Sequence, residues 1–487
     1  MKRIAIIGGG ISGLTAAYEL ELARKRGADI DWHLYEASKR LGGIIETPRV
    51  TTPEGEFILE GGPDGWVSEK PWARELAIEL GLESELIYSN DATRKTYILI
   101  DGKLQPIPDR MRMMVPEDLT TLDNSPLFSE SAKQAYTDEL TRAEELKAKA
   151  QAQDESVASF VRRHFGDEVL NTLAAPLLSG VFGGDVHKLS VRAVMPQFVA
   201  MEREYGSLIA AIQARVQQRT HAPQPIFNSL QRGMGSLIEA LAERIPSERI
   251  SFGQEAVTLQ PHGTEWSVFA STFRGLYDDQ SDWTPTRFDS VLICTPERST
   301  RTLLHFWPHR QMKPTGIGDS LLPAKTSSAI LVAFAWNADQ VSTFPIPSGF
   351  GFLVPQASSS EQQLLACTFV DQKFPHRAPD GARVMRAFFG GDTAERLSSQ
   401  SDETIAESAL TQLRNILGPI PEPSFHTVRR WPRSLPQYEV GHIERIAELD
   451  RQVALMPGLH LLGNSYRGVG IPDLIRDARA LARKLCS

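Results

Sequence analysis

Six residues near the start of the chain have the types and spacing of a nucleotide-binding turn. After the β-branched run at 4–7, a G-x-G-x-x-G pattern is formed by Gly8, Gly9, Gly10, Ile11, Ser12 and Gly13. Gly8 allows a tight turn, Gly10 lets a pyrophosphate approach the backbone, and Gly13 lets a helix pack closely on the strand. The first amides of that helix then face the phosphates. The pattern predicts a bound dinucleotide, with a purely structural glycine-rich turn as the alternative.

A carboxylate follows where a ribose would lie. The second predicted strand, residues 31–35, ends at Glu36, 23 positions after Gly13 (36 − 13), and its carboxylate can accept hydrogen bonds from a ribose diol. The E-x-x-x-R-x-G-G stretch at 36–43 resembles the extension of the flavoprotein amine oxidase superfamily. In that superfamily the stretch continues around FAD. The resemblance implies that FAD is the dinucleotide, and that it is contacted by Glu36, Ala37, Arg40, Gly42 and Gly43.

Composition excludes several classes of protein. The chain has 487 residues and a formal net charge of −8, which argues against a nucleic-acid partner. Its three cysteines are widely separated and indicate a reducing compartment without a disulfide framework or a metal site. No apolar run approaches the roughly 20 residues of a membrane span, and the first strand begins too early for a signal peptide. We therefore expect a cytoplasmic protein without a transmembrane segment.

Periodicity divides the chain into two β-rich parts and a helical part. Helical spacing predicts a helix over 132–150 with one buried stripe, and further helices over 157–165, 167–178, 191–201 and 208–218. Strand patterns occur at 56–60, 250–252, 255–259, 265–270 and 290–294, and again at 325–336, 350–354, 364–370 and 383–389. Near the end, a strand and turn at 459–464 and a glycine-spaced loop at 466–471 precede a helix that Pro472 and Asp473 open.

These patterns predict an α/β protein. A Rossmann-like FAD-binding domain is expected from residues 1–85, 229–300 and 440–487. A substrate-binding domain with a mixed sheet is expected from 86–104 and 301–439. A helical domain is expected as an insertion at 105–228.

Several stretches in one order narrow the resemblance. The segment 178–192 (LSGVFGGDVHKLSVR) resembles a motif of the bacterial porphyrinogen oxidases, the soluble coproporphyrinogen III oxidases and their protoporphyrinogen IX oxidase relatives. Similar matches occur at 196–198, 205–208, 233–237, 435–442 and 468–473, and the likeness is weakest over 109–155. The resemblance implies successive two-electron oxidations of a porphyrinogen in heme biosynthesis. Dioxygen would be the acceptor and hydrogen peroxide the second product.

The resemblance also implies roles for individual residues. The carbonyl of Gly180 is a candidate contact for pyrrole N–H groups, Met234 for the cleft wall, and Lys70 for a carboxylate tail, with Arg94 and Lys95 as further options. The N-terminus of the helix after Pro472 would stabilise negative charge on the reduced flavin. Asn464 stands where many superfamily members carry an acid. The remaining residues assigned to the cofactor are Gly62, Pro63, Asp64, Gly65, Val257, Trp431, Gly463, Val469, Gly470 and Ile471.

Alternatives remain at several points. The stretch at 368–375 favours coproporphyrinogen III over protoporphyrinogen IX. An amine oxidase, a carotenoid desaturase and a non-catalytic flavoprotein or porphyrin-binding chaperone are more distant hypotheses. The Met-rich segment 111–115 is either a buried cluster or a peripheral contact with the inner face of the membrane. Transfer of the product to another heme-pathway enzyme is also compatible with the resemblance.

Overall fold

The computed structural model describes residues 1–150, 153–218, 224–272, 285–305, 319–322, 325–344, 346–355 and 364–486. Its strands are β1 (Lys2–Ile7), β2 (Ile30–Glu36), β3 (Arg49–Thr52), β4 (Gly55–Ile58), β5 (Trp66–Val67), β6 (Leu86–Tyr88), β7 (Thr96–Ile100), β8 (Lys103–Pro106), β9 (Met111–Arg112), β10 (Val115–Pro116), β11 (Phe227–Leu230), β12 (Ile250–Phe252), β13 (Gln254–His262), β14 (Glu265–Thr272), β15 (Thr286–Phe288), β16 (Ser290–Ile293), β17 (Thr326–Trp336), β18 (Gly351–Leu353), β19 (Ala366–Phe369), β20 (Arg383–Gly390), β21 (Phe425–Pro436) and β22 (Leu459–Leu461).

The helices follow the same order along the chain. They are α1 (Ile11–Lys25), α2 (Trp72–Glu79), α3 (Glu130–Thr141), α4 (Ala143–Ala148), α5 (Val157–Val169), α6 (Ala175–Phe182), α7 (Val191–Val194), α8 (Pro196–Tyr205), α9 (Leu208–Gln217), α10 (Gly235–Glu243), α11 (Glu297–His305), α12 (Ala338–Val341), α13 (Val370–Lys373), α14 (Gly391–Leu397), α15 (Asp402–Leu417), α16 (His442–Ala454) and α17 (Ile471–Cys486). A π-helical turn, Leu170–Ala174, joins α5 to α6.

A parallel five-stranded sheet carries the glycine-rich turn at the end of its central strand. Its order is β12-β2-β1-β16-β22, and every pairing is parallel. Strand β1 is buried on both faces, as its unbroken apolar run predicts for a parallel sheet. Helices from opposite ends of the chain, α1 and α17, share one apolar core over this sheet. The α/β fold class is confirmed.

A seven-stranded mixed sheet stands beside it in the order β21-β17-β20-β19-β18-β7-β8. All of its pairings are antiparallel except that of β18 with β7. One face of β17 packs against α15. Alternate residues on the other face, Leu331 and Ala333, pack against Phe57 and Leu59. Side chains that point to this second face therefore lie toward the segment that follows β4.

Helices α3 and α5 to α9 pack around a core of their own, which also includes the Met-rich segment. Residues 111–116 form a small hairpin of β9 and β10, in which Met114 and Val115 are fully buried. The phenol of Tyr136 donates to the carbonyl oxygen of Met114 at 3.0 Å. Met114 and Val115 therefore belong to a buried cluster, and Met111 and Met113 are half-buried against it. Within the described ranges, every helix is too short or too polar to cross a bilayer.

Two predicted helices differ from the structure for physical reasons. The helix predicted over 132–150 is divided into α3 and α4 at Arg142. The helix predicted over 191–201 is interrupted at Met195, because a residue that precedes a proline is disfavoured in the helical region. Strands β7, β8 and β21 and helix α10 were not predicted. The domain boundaries remain a prediction, although all five strands of the parallel sheet come from the segments assigned to the FAD-binding domain.

Candidate active site

The glycine-rich turn has the geometry that its spacing predicts. A Cβ atom added to Gly13 would lie 2.0 Å from the carbonyl oxygen of Gly8, so α1 packs too closely on the turn for a side chain. A Cβ atom added to Gly10 would meet nothing within 4 Å. No side chain caps α1, and its first turn contains no acid, so the amides of Ile11, Ser12 and Gly13 face an anion site. These observations fit the phosphates of a dinucleotide.

The carboxylate of Glu36 lies against this turn. One of its oxygens accepts a hydrogen bond from the amide of Gly9 at 2.7 Å, and the other accepts from the amide of Ser38 at 2.8 Å. A carboxylate has four lone-pair sites, and these two bonds leave acceptor capacity for a ribose diol. Ala37 lies between Glu36 and Ser38 in the chain. The fit supports an adenosine moiety at the end of β2.

The 40–45 loop covers the turn, and Arg40 stabilises it. The amide of Gly42 donates to the carbonyl oxygen of Gly9 at 2.8 Å. The guanidinium of Arg40 donates to the carbonyl oxygens of Leu41, Gly43 and Ile45. Gly42 and Gly43 both have positive φ, +103° and +59°, which favours residues without a side chain. Arg40 thus shapes the loop, and its predicted contact with FAD remains a prediction.

A second loop, residues 61–65, meets the first one. A Cβ atom on Gly62 would lie 1.9 Å from the carbonyl oxygen of Ile44, and one on Gly65 would lie 2.5 Å from that of Asn228. The indole N–H of Trp431 donates to the carbonyl oxygen of Gly61 at 2.7 Å. Pro63 stiffens the turn between these contacts. The structure therefore brings two predicted cofactor loops and Trp431 together, although they are distant in the sequence.

The C-terminal loop is organised by Tyr438. Its hydroxyl donates to the carbonyl oxygen of Asn464 at 2.5 Å and accepts from the amide of Gly468 at 3.0 Å. The ring of His442 stacks on that of Tyr438 with centroids 4.0 Å apart, which is a structural role. The loop then runs through Val469 and Gly470 into α17, and Gly463 at its start has a φ of +124°.

Two further predicted residues occupy distinctive backbone positions. Val257 lies at an irregularity in the pairing of β13 with β14, between Ala256 and Thr258. Such bulges redirect backbone groups, which suits a main-chain contact with a base. The side chain of Asn464 donates to the carbonyl oxygen of Ser434 at 3.1 Å. Its amide therefore orients the loop in the structure, and the assigned ribityl contact stays a prediction.

The three candidates for substrate contacts, Gly180, Met234 and Lys70, differ in exposure and in their contacts. Gly180 is exposed in the last turn of α6, where carbonyl groups lack intrahelical donors. Met234 is fully buried in the core beneath the parallel sheet, and its amide donates to Glu60 at 2.7 Å. Its side chain is therefore enclosed by the protein, and the assignment of Met234 to the cleft wall stays a prediction. The ammonium of Lys70 lies 2.5 Å from the carboxylate of Asp473 in the first turn of α17.

A buried group of charges behind the 61–65 loop was missed by sequence reasoning. The carboxylate of Asp64 contacts Lys373 at 3.0 Å and Arg386 at 3.1 Å. Burial alone would raise the pKa of the Asp64 carboxyl, but the two cations outweigh burial and hold this pKa below its usual range. The partners are more than 300 residues apart in the sequence, and no local pattern connects them.

A cavity of about 930 Å³ opens between the mixed sheet, the segment after α6 and the start of α11. Leu189, Val354, Leu364 and Leu365 contribute apolar walls. Three arginines that line the cavity, Arg298, Arg396 and Arg433, each form no ion pair with a carboxylate of the described residues. The cavity therefore combines apolar surface with three arginines that no described carboxylate pairs, and Asp392 and Glu395 add negative charge to the same lining.

Comparisons with known proteins agree with this geometry. Residues 11–486 match the family model described as flavin-containing amine oxidoreductase. The chain is 32% identical to the coproporphyrinogen III oxidase of Bacillus subtilis (strain 168), with 98% of this chain and 97% of that protein covered. It is 27% identical to the chloroplastic protoporphyrinogen oxidase 1 of Arabidopsis thaliana, with 97% and 86% covered. A crystal structure named "Putative protoporphyrinogen oxidase" from Exiguobacterium sp. 255-15 superposes with a TM-score of 0.82 at 32% identity, covering 100% of this chain and 98% of that one.

Proposed function

The chain belongs to the family of flavin-containing amine oxidoreductases, and we propose that it oxidises a porphyrinogen to a porphyrin in heme biosynthesis. FAD is the proposed cofactor and dioxygen the proposed acceptor, with hydrogen peroxide as the second product. Coproporphyrinogen III is the favoured substrate and protoporphyrinogen IX the alternative. Full-length similarity to coproporphyrinogen III oxidases and protoporphyrinogen oxidases supports this class of reaction.

The observation that carries the proposal is a segment shared by the cavity and the cofactor loops. Trp431 bonds the 61–65 loop, and Tyr438 bonds the C-terminal loop. Gln437 and Glu439, the two neighbours of Tyr438, line the 930 Å³ cavity. The segment 437–439 therefore connects the wall of the cavity to the C-terminal loop assigned to the flavin, which supports the proposal that a large substrate binds near the cofactor.

The residues of the chain supply orientation more than acid–base chemistry. When bound, the flavin provides a two-electron acceptor for hydride from a bridging carbon of the substrate. Leu189, Leu364 and Leu365 contact the apolar part of the macrocycle. The exposed end of α6 offers the Gly180 carbonyl as an acceptor for pyrrole N–H groups. Arginine side chains at the cavity bind carboxylate tails through charge-assisted hydrogen bonds.

The charge of the cavity supports the choice between the two substrates. Coproporphyrinogen III carries four carboxylates and protoporphyrinogen IX carries two, so the former gains more from cationic walls. Arg298, Arg396 and Arg433 come from α11, α14 and β21 and are therefore distributed around the cavity. This distribution suits tails that leave a macrocycle in different directions.

The experiment compares the two porphyrinogens directly. Each is reduced chemically, mixed with the purified FAD-loaded protein in air, and followed by porphyrin fluorescence and hydrogen peroxide release, after subtraction of spontaneous oxidation. Faster turnover of coproporphyrinogen III is expected. Oxidation of neither substrate by a flavin-loaded protein would refute the proposal, and oxidation of an amine instead would favour the amine oxidase hypothesis.

Matched variants test the role of the cavity. Arg396→Gln and Arg433→Gln should each raise KM for coproporphyrinogen III about threefold to tenfold, the usual effect of losing one exposed charge-assisted contact. Their effect on protoporphyrinogen IX should be smaller. Arg430→Gln is the control, because Arg430 lies in the same strand but pairs with Asp402 on α15. Equal effects of all three variants would contradict the assignment.

A further inference from the structure

A buried cluster of charged side chains holds the 61–65 loop from the side of the mixed sheet. It consists of Glu60, Asp64, Lys373, Arg377 and Arg386. Glu60 and Arg377 are 0% exposed and Arg386 is 3% exposed. Charged side chains are rarely buried to this degree unless they are paired, because their desolvation is costly.

Two of the cations bind the loop itself. The guanidinium of Arg386 lies 3.1 Å from the carboxylate of Asp64 and also donates to the carbonyl oxygen of Gly62. The ammonium of Lys373 donates to both carboxylate oxygens of Asp64, at 3.1 and 3.0 Å. The loop backbone is thereby tied to β20 and α13 of the mixed sheet. A flavin ring beside this loop would be positioned relative to the substrate walls by the same contacts.

The third cation ties the loop to β11. Arg377 donates to the carbonyl oxygen of Leu230 at 2.9 Å and to the hydroxyl of Ser229. Its guanidinium lies 3.7 Å from the carboxylate of Glu60. Within the described part of the chain, the Nε donors of Arg377 and Arg386 have no hydrogen-bond partner. The cluster thus offers more donors than its own acceptors use.

Positive charge is in excess in this cluster. Three cations, Lys373, Arg377 and Arg386, face two carboxylates, Glu60 and Asp64. The neighbouring carboxylates have cations of their own: Glu46 lies 2.9 Å from Arg429 and 3.4 Å from Arg40, and Asp371 lies 3.7 Å from Arg383. Solvent screens a buried excess charge only weakly.

We propose that this cluster positions the 61–65 loop against the flavin and that its excess positive charge favours flavin reduction. Reduction adds negative charge to the ring system, and nearby buried cations stabilise that charge. The five residues are positioning residues for the reaction. The inference rests on the proposed function only in placing the flavin beside the 61–65 loop, and it is independent of the substrate.

The test uses two variants of opposite charge effect, Arg386→Met and the isosteric Asp64→Asn. Their flavin midpoint potentials are measured by equilibration with a reference dye, and their dissociation constants for FAD are measured on the apoprotein. For a unit charge acting over about 10 Å at an effective dielectric constant near 20, the ratio of reduced to oxidised flavin changes about tenfold. This change corresponds to roughly 30 mV for a two-electron couple. Arg430→Met, which removes a cation paired with Asp402 away from the loop, is the control.

The signs of the shifts decide the result. The midpoint potential should fall in Arg386→Met, rise in Asp64→Asn and stay unchanged in the control. A merely structural cluster would move both variants in the same direction or only weaken FAD binding, and either outcome overturns the inference. If Arg386→Met does not fold, Lys373→Met replaces it with the same expected sign. A protein that shows these shifts but does not oxidise porphyrinogens would refute the proposed function and not this inference.

Discussion

Two glycines of the same turn should respond in opposite ways to the same substitution. Gly10→Ala places a methyl group where nothing lies within 4 Å, whereas Gly13→Ala places one 2.0 Å from the carbonyl oxygen of Gly8. The first site is open because, in our interpretation, a pyrophosphate approaches it. The second site is closed because the helix packs on the turn. Gly10→Ala should therefore impair FAD binding, and Gly13→Ala should impair folding.

The magnitudes follow from the backbone geometry. At Gly10, which has an ordinary φ of −73°, the loss of a glycine N-cap and the lower entropy of the unfolded chain nearly cancel, so the stability of the apoprotein should change by less than about 0.5 kcal/mol. At Gly13 the helix gains about 1 kcal/mol of propensity. Relief of the overlap requires a backbone shift that costs about 1–3 kcal/mol. The Gly8 amide resists that shift because it donates to the carbonyl oxygen of Tyr35 at 2.9 Å.

The assays separate the two effects. Flavin is removed from each variant, apoprotein stability is measured by denaturant and thermal unfolding, and FAD is titrated back by fluorescence quenching. Gly10→Ala should bind FAD at least about tenfold more weakly, or about 1.4 kcal/mol, with an unchanged unfolding curve. Gly13→Ala should unfold at lower denaturant concentration before any flavin is added. Wild-type affinity in Gly10→Ala would refute the placement of the pyrophosphate at this turn.

Three further substitutions test other contacts. Burial alone would lower the pKa of His164, but hydrogen bonds to Glu139 and Glu202 outweigh burial and raise it. The stability that His164 adds relative to His164→Gln should therefore be complete below about pH 6.5 and decline at higher pH; unfolding curves across pH check this, and a constant difference would contradict it. Lys70→Met should change KM for the porphyrinogen less than about twofold, because Lys70 is held by Asp473; a tenfold increase would restore Lys70 as a ligand of the carboxylate tails. Trp431→Phe should weaken FAD binding by about 0.5–1.5 kcal/mol, because it loses the hydrogen bond to Gly61. Flavin titration measures this affinity, and an unchanged value would contradict the prediction.

The dinucleotide turn was readable from sequence because its chemistry is local. The strand, the glycines and Glu36 lie within one βαβ unit. The spacing of Gly8, Gly10 and Gly13 already implies the tight turn, the pyrophosphate approach and the close helix packing that exclude a side chain. The break of α7 from α8 also had a local signal, Pro196. Strand β21 was missed because its residues are mostly polar or half-buried and include two prolines, Pro432 and Pro436.

The contacts of Lys70 and Met234 were not readable because they depend on distant partners. Lys70 meets Asp473, 403 residues later in the chain. Met234 precedes α10 in a glycine-flanked segment, and the family resemblance assigned it to the cleft wall. In the structure its side chain packs in the core beneath the parallel sheet. A sequence pattern specifies that a residue is apolar or charged, but tertiary packing decides which surface receives it.

The same long-range contacts couple cofactor binding to the arrangement of the whole chain. The 61–65 loop is held by residues of β20 and α13, and the C-terminal loop by Tyr438 just after β21. The 40–45 loop touches both the glycine-rich turn and Gly62. A dinucleotide bound by these loops therefore contacts segments fixed by both sheets, and it binds only when they are in place. Because a ligand that binds only the folded state stabilises it by mass action, FAD should raise the unfolding temperature of the mixed sheet as well as that of the parallel sheet. Hydrogen exchange of β20 monitors the mixed sheet in the flavin-loaded protein. If this sheet unfolds separately from the parallel sheet, the loops bind the cofactor without this coupling.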